Sequence, residues 1–290
     1  MTLQLSRILA PIDFSARCRG AVEYAEALAC HFHSELTLLH VVSPVQTYGY
    51  PEAMAVVPEM FEDILARSQA ALDGFAAETA KGVRAKPVLL EGDPGQAIVE
   101  YANKSGCNLI VMPTHGYGPF RRFLLGSVTA KVLHDAPCAV WTGPHLEEAP
   151  VYSSIGFATV LCAVDLGPES HAVVQWGAAF AREYGSKLAV VHAIPPSTVS
   201  LSGLYFDPQW HHRVRTEAEG MIRFLLSEAA TQGDIIVKTG EAPHIVRAAA
   251  EECGANVLVI GRGRSEGILG RLRTNAYAIL RESPCPVAAI

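Results

Sequence analysis

Gly126-Ser127-Val128-Thr129 places a glycine and two hydroxyl residues directly ahead of a stretch with helical spacing. At a helix start the first amide groups have no intrahelical acceptor, and they sit at the positive end of the helix dipole. Such an end attracts an anion, a phosphate above all. Gly126 has no Cβ and so permits close approach, and the hydroxyls of Ser127 and Thr129 add donors. A charge-assisted hydrogen bond contributes roughly 1.5–3 kcal/mol. Three or four of them support micromolar binding, about −8 kcal/mol. The same residues also suit a plain loop and helix cap, and local pattern does not separate the two readings.

Three other segments of the first half carry polar groups at the ends of apolar runs: Pro11-Ile12-Asp13, His40-Val41-Val42 and Pro113-Thr114-His115-Gly116. Asp13 can cap the helix that follows it. His40 closes a buried run, where a histidine is more often packed or hydrogen-bonded than a ligand. The runs themselves read as buried strands of a parallel sheet, near Ile8–Ile12, Leu36–Val42, Lys86–Leu90, Leu109–Met112 and Ala139–Trp141. Between them lie helices. One follows Ser15, a plausible N-cap, with Ala21, Val22, Ala25, Leu28 and Ala29 on one face; others span Glu62–Ala80, Gly95–Ser105 and Ser127–Asp135. Alternating strands and helices imply right-handed parallel crossovers. In such a sheet a ligand binds beyond the carboxyl ends of the strands, where strand order switches.

The plan occurs twice. Ile8–Asp13 matches Val160–Asp165, and Ser34–Val41 matches Ser186–Ala193, both at an offset of 152. Cys107–Val111 matches Ala255–Val259, and Ala136–Val140 matches Ser283–Val287. Second-half strands are expected near Val160–Val164, Leu188–Ile194, Asp234–Lys238, Val257–Ile260 and Val287–Ile290, with a linker at Gly143–Gly156. The fold class is therefore α/β: two tandem Rossmann-like domains, residues 1–145 and 156–290, each an open five-stranded parallel sheet flanked by helices. The last strands, as sheet edges, can pair with each other as an intramolecular pseudo-dimer or build a homodimer.

The chain has 290 residues, half of them hydrophobic, and a formal net charge of −6. A mildly acidic surface argues against a nucleic-acid partner. No apolar run reaches the roughly 18 residues of a membrane span, and Met1–Arg7 lacks a signal-peptide pattern. A cytoplasmic location is the expectation. Seven cysteines form no CxxC pair and read as small hydrophobes in a reducing compartment. His31-x-His33 and His211-His212 lack metal-site spacing. Gly263-Arg-Ser265-Glu-Gly267 has the spacing of a nucleophile elbow, but neither Asp nor His follows it in the chain.

Taken together, the PID-F-S start, the LTLLHV second strand, the LIVMPTHG turn, the GSVTAKVL helix and the APCAV last strand resemble the universal stress protein family, and the likeness covers nearly all of both halves. The family's nucleotide-binding members carry Gly, two residues, Gly, nine residues, Gly-Ser/Thr; here Pro113 stands at the first glycine, followed by Gly116 and Gly126-Ser127. The resemblance implies a stress-response regulatory protein, not an enzyme, with ATP in the first domain, with or without Mg²⁺. Pro11, Ile12 and Asp13 would border the ribose and phosphates, Asp13 through a hydrogen bond or bridging metal. Val41 would recognise adenine through its backbone. Pro113, His115, Gly116, Gly126, Ser127, Val128 and Thr129 would line the phosphates. Pro113 lacks an N–H and weakens the match. The second half reads Gly261-Arg262-Gly263, nine residues, Arg273-Thr274: either a degenerate motif in which an arginine fills the phosphate site and pairs with Asp165, or a cluster of Arg262, Arg264, Arg271 and Arg273 that supplies charge to some other anion. The alternative is a nucleotide-independent scaffold acting through dimerisation and protein partners.

Overall fold

The structure, a computed structural model, describes residues 3–43, 57–114, 125–143, 150–196, 210–263 and 271–290. The chain forms two compact units. One comprises Gln4–Val140 with Leu146–Ile155, the other Gly156–Ile290 with Met1–Leu3 and Trp141–His145.

The first unit holds strands β1 (Arg7–Pro11), β2 (Glu35–Val42), β3 (Lys86–Glu91), β4 (Leu109–Val111) and the first two residues of β5 (Ala139–Thr142), whose Trp141 and Thr142 belong to the second unit; the order is β3-β2-β1-β4-β5. Helices α1 (Ala16–Phe32), α2 (Val57–Glu78), α3 (Pro94–Lys104) and α4 (Ser127–Asp135) connect them. β1 runs parallel to both β2 and β4, with Ile8 opposite Leu36 on one side and Leu109 on the other. Strand order therefore reverses between β1 and β4, which opens a crevice at their carboxyl ends. Both strands are apolar because helices cover both faces of the sheet: Leu9, Ala10, Leu109, Ile110 and Val111 are wholly buried. Asp93 caps α3 by accepting the Gln96 amide at 2.8 Å, and Pro94 follows at a position that needs no N–H.

The second unit repeats the arrangement with β6 (Thr159–Ala163), α5 (Ser170–Tyr184), β7 (Lys187–Ile194), α6 (Trp210–Glu228), β8 (Asp234–Thr239), α7 (Ala242–Cys253), β9 (Val257–Ile260), α8 (Arg271–Glu282) and β10 (Val287–Ala289). Its strand order is β10-β9-β6-β7-β8. β6 pairs parallel with β7 and β9, Val160 facing Leu188 and Val257. Trp141, Phe157, Trp176, Phe180 and Tyr184 form an aromatic cluster at one end of its core, with Trp176 stacked on Phe180 at 5.2 Å.

The expected linker divides. Residues 144–149 lie outside the described residues. Tyr152–Ser154 makes a single 3₁₀ turn that is fastened to the first unit: the Tyr152 amide donates to Glu23 Oε2 at 2.7 Å.

Candidate functional site

The crevice between β1 and β4 is a cavity of about 270 Å³. It lies near the lower end of the roughly 300–1,000 Å³ typical of small-molecule sites. Pro11, Ile12, Asp13, Val41, Pro113 and the Gly126–Thr129 segment all line it. His115 and Gly116 lie outside the described residues. Pro94 and Ile98 of α3 also line it, with Met112 and His40. The sequence signal for the α3 pair was available: a proline just inside a capped helix start, and an apolar residue four positions on.

Each wall has a local cause. β1 ends at Pro11, and the chain then turns through Phe14 at φ 61°, left-handed for a bulky residue. Asp13 holds this turn. Its Oδ1 accepts the Ser15 amide at 3.0 Å and the Ser15 hydroxyl at 2.6 Å. Ser15 is the N-cap residue of α1, as expected, but its hydroxyl serves Asp13 and not the helix. His40 bridges the neighbouring strand ends, its Nδ1 lying 2.7 Å from the Ile12 carbonyl. A carbonyl only accepts, so Nδ1 carries the proton. The Phe14 ring packs on the imidazole at 4.5 Å.

The fourth wall is the start of α4. Gly126 is its N-cap in extended conformation, and among the described residues no side chain caps the helix. Two groups expected to face a ligand are already engaged. The Gly126 amide donates to the Thr114 carbonyl at 2.9 Å. The Thr129 hydroxyl, 3 % exposed, donates to the Pro113 carbonyl at 3.0 Å. The first intrahelical bond runs from the Ala130 amide to Gly126 O. The amides of Ser127, Val128 and Thr129 precede it, at the positive end of the dipole. Pro113 lines the wall beside them and anchors Thr129.

The second unit places a cavity of about 760 Å³ at the corresponding point, lined by Asp165, Glu169, His192, Gly261 and Gly263 among others. Leu166 repeats the left-handed turn at φ 62°. Asp165 Oδ1 accepts the Gly167 amide at 2.8 Å and the Ser170 hydroxyl at 3.1 Å. His192 Nδ1 lies 2.9 Å from the Val164 carbonyl. On the glycine turn the described side-chain partner is a carboxylate: Glu169 Oε2 accepts the Gly263 amide at 2.7 Å. Arg273 lies in α8 (Arg271–Glu282). Arg264 and the Ser265–Gly267 stretch lie outside the described residues, as do the side chains of Arg271 and Arg273.

Among the described residues no group of three or more His, Cys, Asp or Glu side chains could hold a metal ion. His31, His33, His211 and His212 are exposed near helix ends. No helix of the described residues is long and apolar enough to cross a membrane. Cys18, Cys107, Cys162 and Cys285 are buried. Burial pushes the Cys162 thiol up to about 12 and the Cys18 and Cys285 thiols up to about 11.

Residues 5–142 and 156–290 each match the sequence model of the universal stress protein family. The universal stress protein YxiE of Bacillus subtilis is 32% identical over 143 residues, which is 47% of this chain and 96% of that protein. A universal stress protein of Thermus aquaticus is 35% identical over 137 residues, 46% of this chain and 94% of its own length. The crystal structure of a universal stress protein from Archaeoglobus fulgidus superposes with a TM-score of 0.67 at 20% identity, covering 99% of this chain and 98% of that one. At that identity the likeness is one of fold.

Proposed function

The chain belongs to the universal stress protein family, and we propose that it is a stress-response regulatory protein whose first unit binds ATP. The observation that carries this reading is the uncapped start of α4 opening on a cavity that Asp13 borders. The amides of Ser127, Val128 and Thr129 donate to the phosphates, with the exposed Ser127 hydroxyl beside them. Both bonds within the Asp13 turn use Oδ1, so Oδ2 serves the ribose or a Mg²⁺ ion. Val41, at the β2 end of the same cavity, offers its backbone to adenine. ATP would bring a negative charge to the positive end of the α4 dipole.

The proposal is binding and not turnover. The titratable side chains among the described lining residues are Asp13 and His40. Asp13 holds its own turn, and the His40 Nδ1 proton is committed to Ile12 O. Neither is set as a general base against a phosphate. ATP in the first unit then acts by changing the shape or the partners of the protein.

Calorimetry with ATP and Mg²⁺ on the wild type and on Gly126→Arg tests this. The wild type is expected to bind in the micromolar range and the variant at least about tenfold more weakly, a loss of about 1.4 kcal/mol. Equal binding refutes the site. A wild type with no ATP-dependent thermal shift, releasing no adenine nucleotide on denaturation, favours the scaffold that works through dimerisation.

A further inference from the structure

The amino ends of the first-unit strands border another cavity, at the opposite end of the sheet from the crevice between β1 and β4. Its volume is about 620 Å³. Arg7 opens β1, Glu35 opens β2 and Lys86 opens β3, and all three line it. The strand register sets Arg7 beside Glu35 and Lys86 beside Thr37. Arg84, two residues ahead of β3, adds a third cation, and Tyr101 near the end of α3 adds an aromatic ring.

The three cations are not equivalent. Arg7 is already engaged: its Nη1 donates to the Ser105 carbonyl at 2.7 Å, and its Nε lies 3.4 Å from Glu35 Oε2. Ser105 is the C-cap residue of α3, so Arg7 meets the negative end of that helix dipole, which would otherwise oppose an anion. It also offsets Glu35, the one carboxylate among the described lining residues. Arg84 and Lys86 are exposed, and among the described residues neither side chain has a hydrogen-bond or ion-pair partner. The half-buried Thr37 and Tyr101 hydroxyls are likewise unbonded among the described residues. Two unmatched positive charges thus line one cavity of a chain whose formal net charge is −6.

The fold does not require them. Cys107 N bonds Ala102 O as Ala255 N bonds Ala250 O, and Asn108 N bonds Arg7 O as Asn256 N bonds Thr159 O. These bonds set Tyr101 on Ala249 and Arg7 on Thr159. The strand pairs Thr37–Lys86 and Ala189–Asp234 set Lys86 on Asp234, and hence Arg84 on Gln232. The second unit builds the same architecture with neither of the unmatched cations and without the aromatic ring.

We propose that this amino-end cavity is a further binding site of the first unit, for a small organic phosphate: Arg84 and Lys86 take the phosphate, and Tyr101, Leu36 and Pro87 take an apolar or aromatic body. Two free cations match a phosphate monoester, which carries about −1.5 to −2 charge at pH 7. Arg84 offers a planar fork of donors and Lys86 a point charge, and the Thr37 and Tyr101 hydroxyls complete the donor set. The volume lies inside the roughly 300–1,000 Å³ of small-molecule sites, more than a bare phosphate fills. The site stands apart from the ATP reading, and neither depends on the other.

Amide NMR of the labelled full chain without nucleotide, titrated with phenyl phosphate, tests this, with inorganic phosphate and benzoate as comparison probes. Phenyl phosphate is expected to give saturable shifts at Thr37, Arg84, Ala85, Lys86 and Tyr101, and to bind more tightly than either comparison probe. The double variant Arg84→Gln, Lys86→Gln alters two exposed side chains and leaves the core untouched. It is expected to bind phenyl phosphate at least about tenfold more weakly. Phenyl phosphate that leaves those amides unmoved, or that moves only the 127–129 amides, overturns the proposal. A double variant that binds as tightly as the wild type does the same, as does inorganic phosphate or benzoate binding as tightly as phenyl phosphate.

Discussion

Thr129 shows how a residue type can be read correctly and its role misread. A hydroxyl at the third position of a helix start suggested a phosphate donor. The structure spends that hydroxyl on Pro113 O, inside the protein. The bond ties the end of β4 to the start of α4 and so fixes the distance across the cavity. Thr129→Val should cost about 1–3 kcal/mol in chemical denaturation, because it leaves a buried carbonyl without its partner. An unchanged midpoint would show that the clasp is dispensable. Gly126-Ser127 was legible because a bare helix start has a local signature. The engagement of the Gly126 amide by Thr114 O was not, since that bond depends on how the chain returns from β4. Glu169 escaped notice for the same reason. The Gly263 amide that it accepts lies 94 residues away in sequence.

At the scale of elements, the apolar runs gave the strands to within a residue or two. A strand covered on both faces has little freedom in composition: the expected Leu36–Val42 and Val257–Ile260 became Glu35–Val42 and Val257–Ile260. Close approaches between elements were hidden. Gly177 on α5 lies over β6 so closely that an added Cβ would run into Cys162 Sγ. Gly177→Ala should therefore destabilise by about 1–3 kcal/mol, as overpacked cores do. Adding Cys162→Ala should recover part of that loss in a double-mutant cycle, and additivity would show that the two do not touch. The 150–155 segment is held in a similar way. A Cβ at Gly82 would meet the Tyr152 ring at 2.7 Å. Gly82→Ala should loosen the segment, read as faster protease cleavage near Tyr152, whereas wild-type cleavage would contradict the contact.

At the scale of the whole molecule, duplication was the plainest message of the sequence, and pH dependence the least visible. Glu26 on α1 is a carboxyl only 2 % exposed, bonded by the Gly82 amide. Burial raises its pKa above the ordinary 4.5, with the Gly82 bond opposing. A carboxyl raised in the folded state favours folding fully below its unfolded value. That contribution is lost as pH climbs through the folded value. Glu26→Gln should therefore gain stability relative to the wild type as pH rises from about 4.5 toward neutrality, followed by thermal melts across that range. A difference that does not change with pH would show the carboxyl to be ordinary.

The claim on which the functional account stands is that the bare amides of Ser127, Val128 and Thr129 receive the triphosphate. Backbone amide NMR of the labelled full chain, titrated with ATP and Mg²⁺, reads those three groups directly. The account predicts saturable shifts at Ser127, Val128 and Thr129, shared by Asp13 and Val41, at a single nucleotide per chain. Saturable binding that leaves those amides unmoved, or that shifts the Gly261–Gly263 turn in their stead, would contradict it.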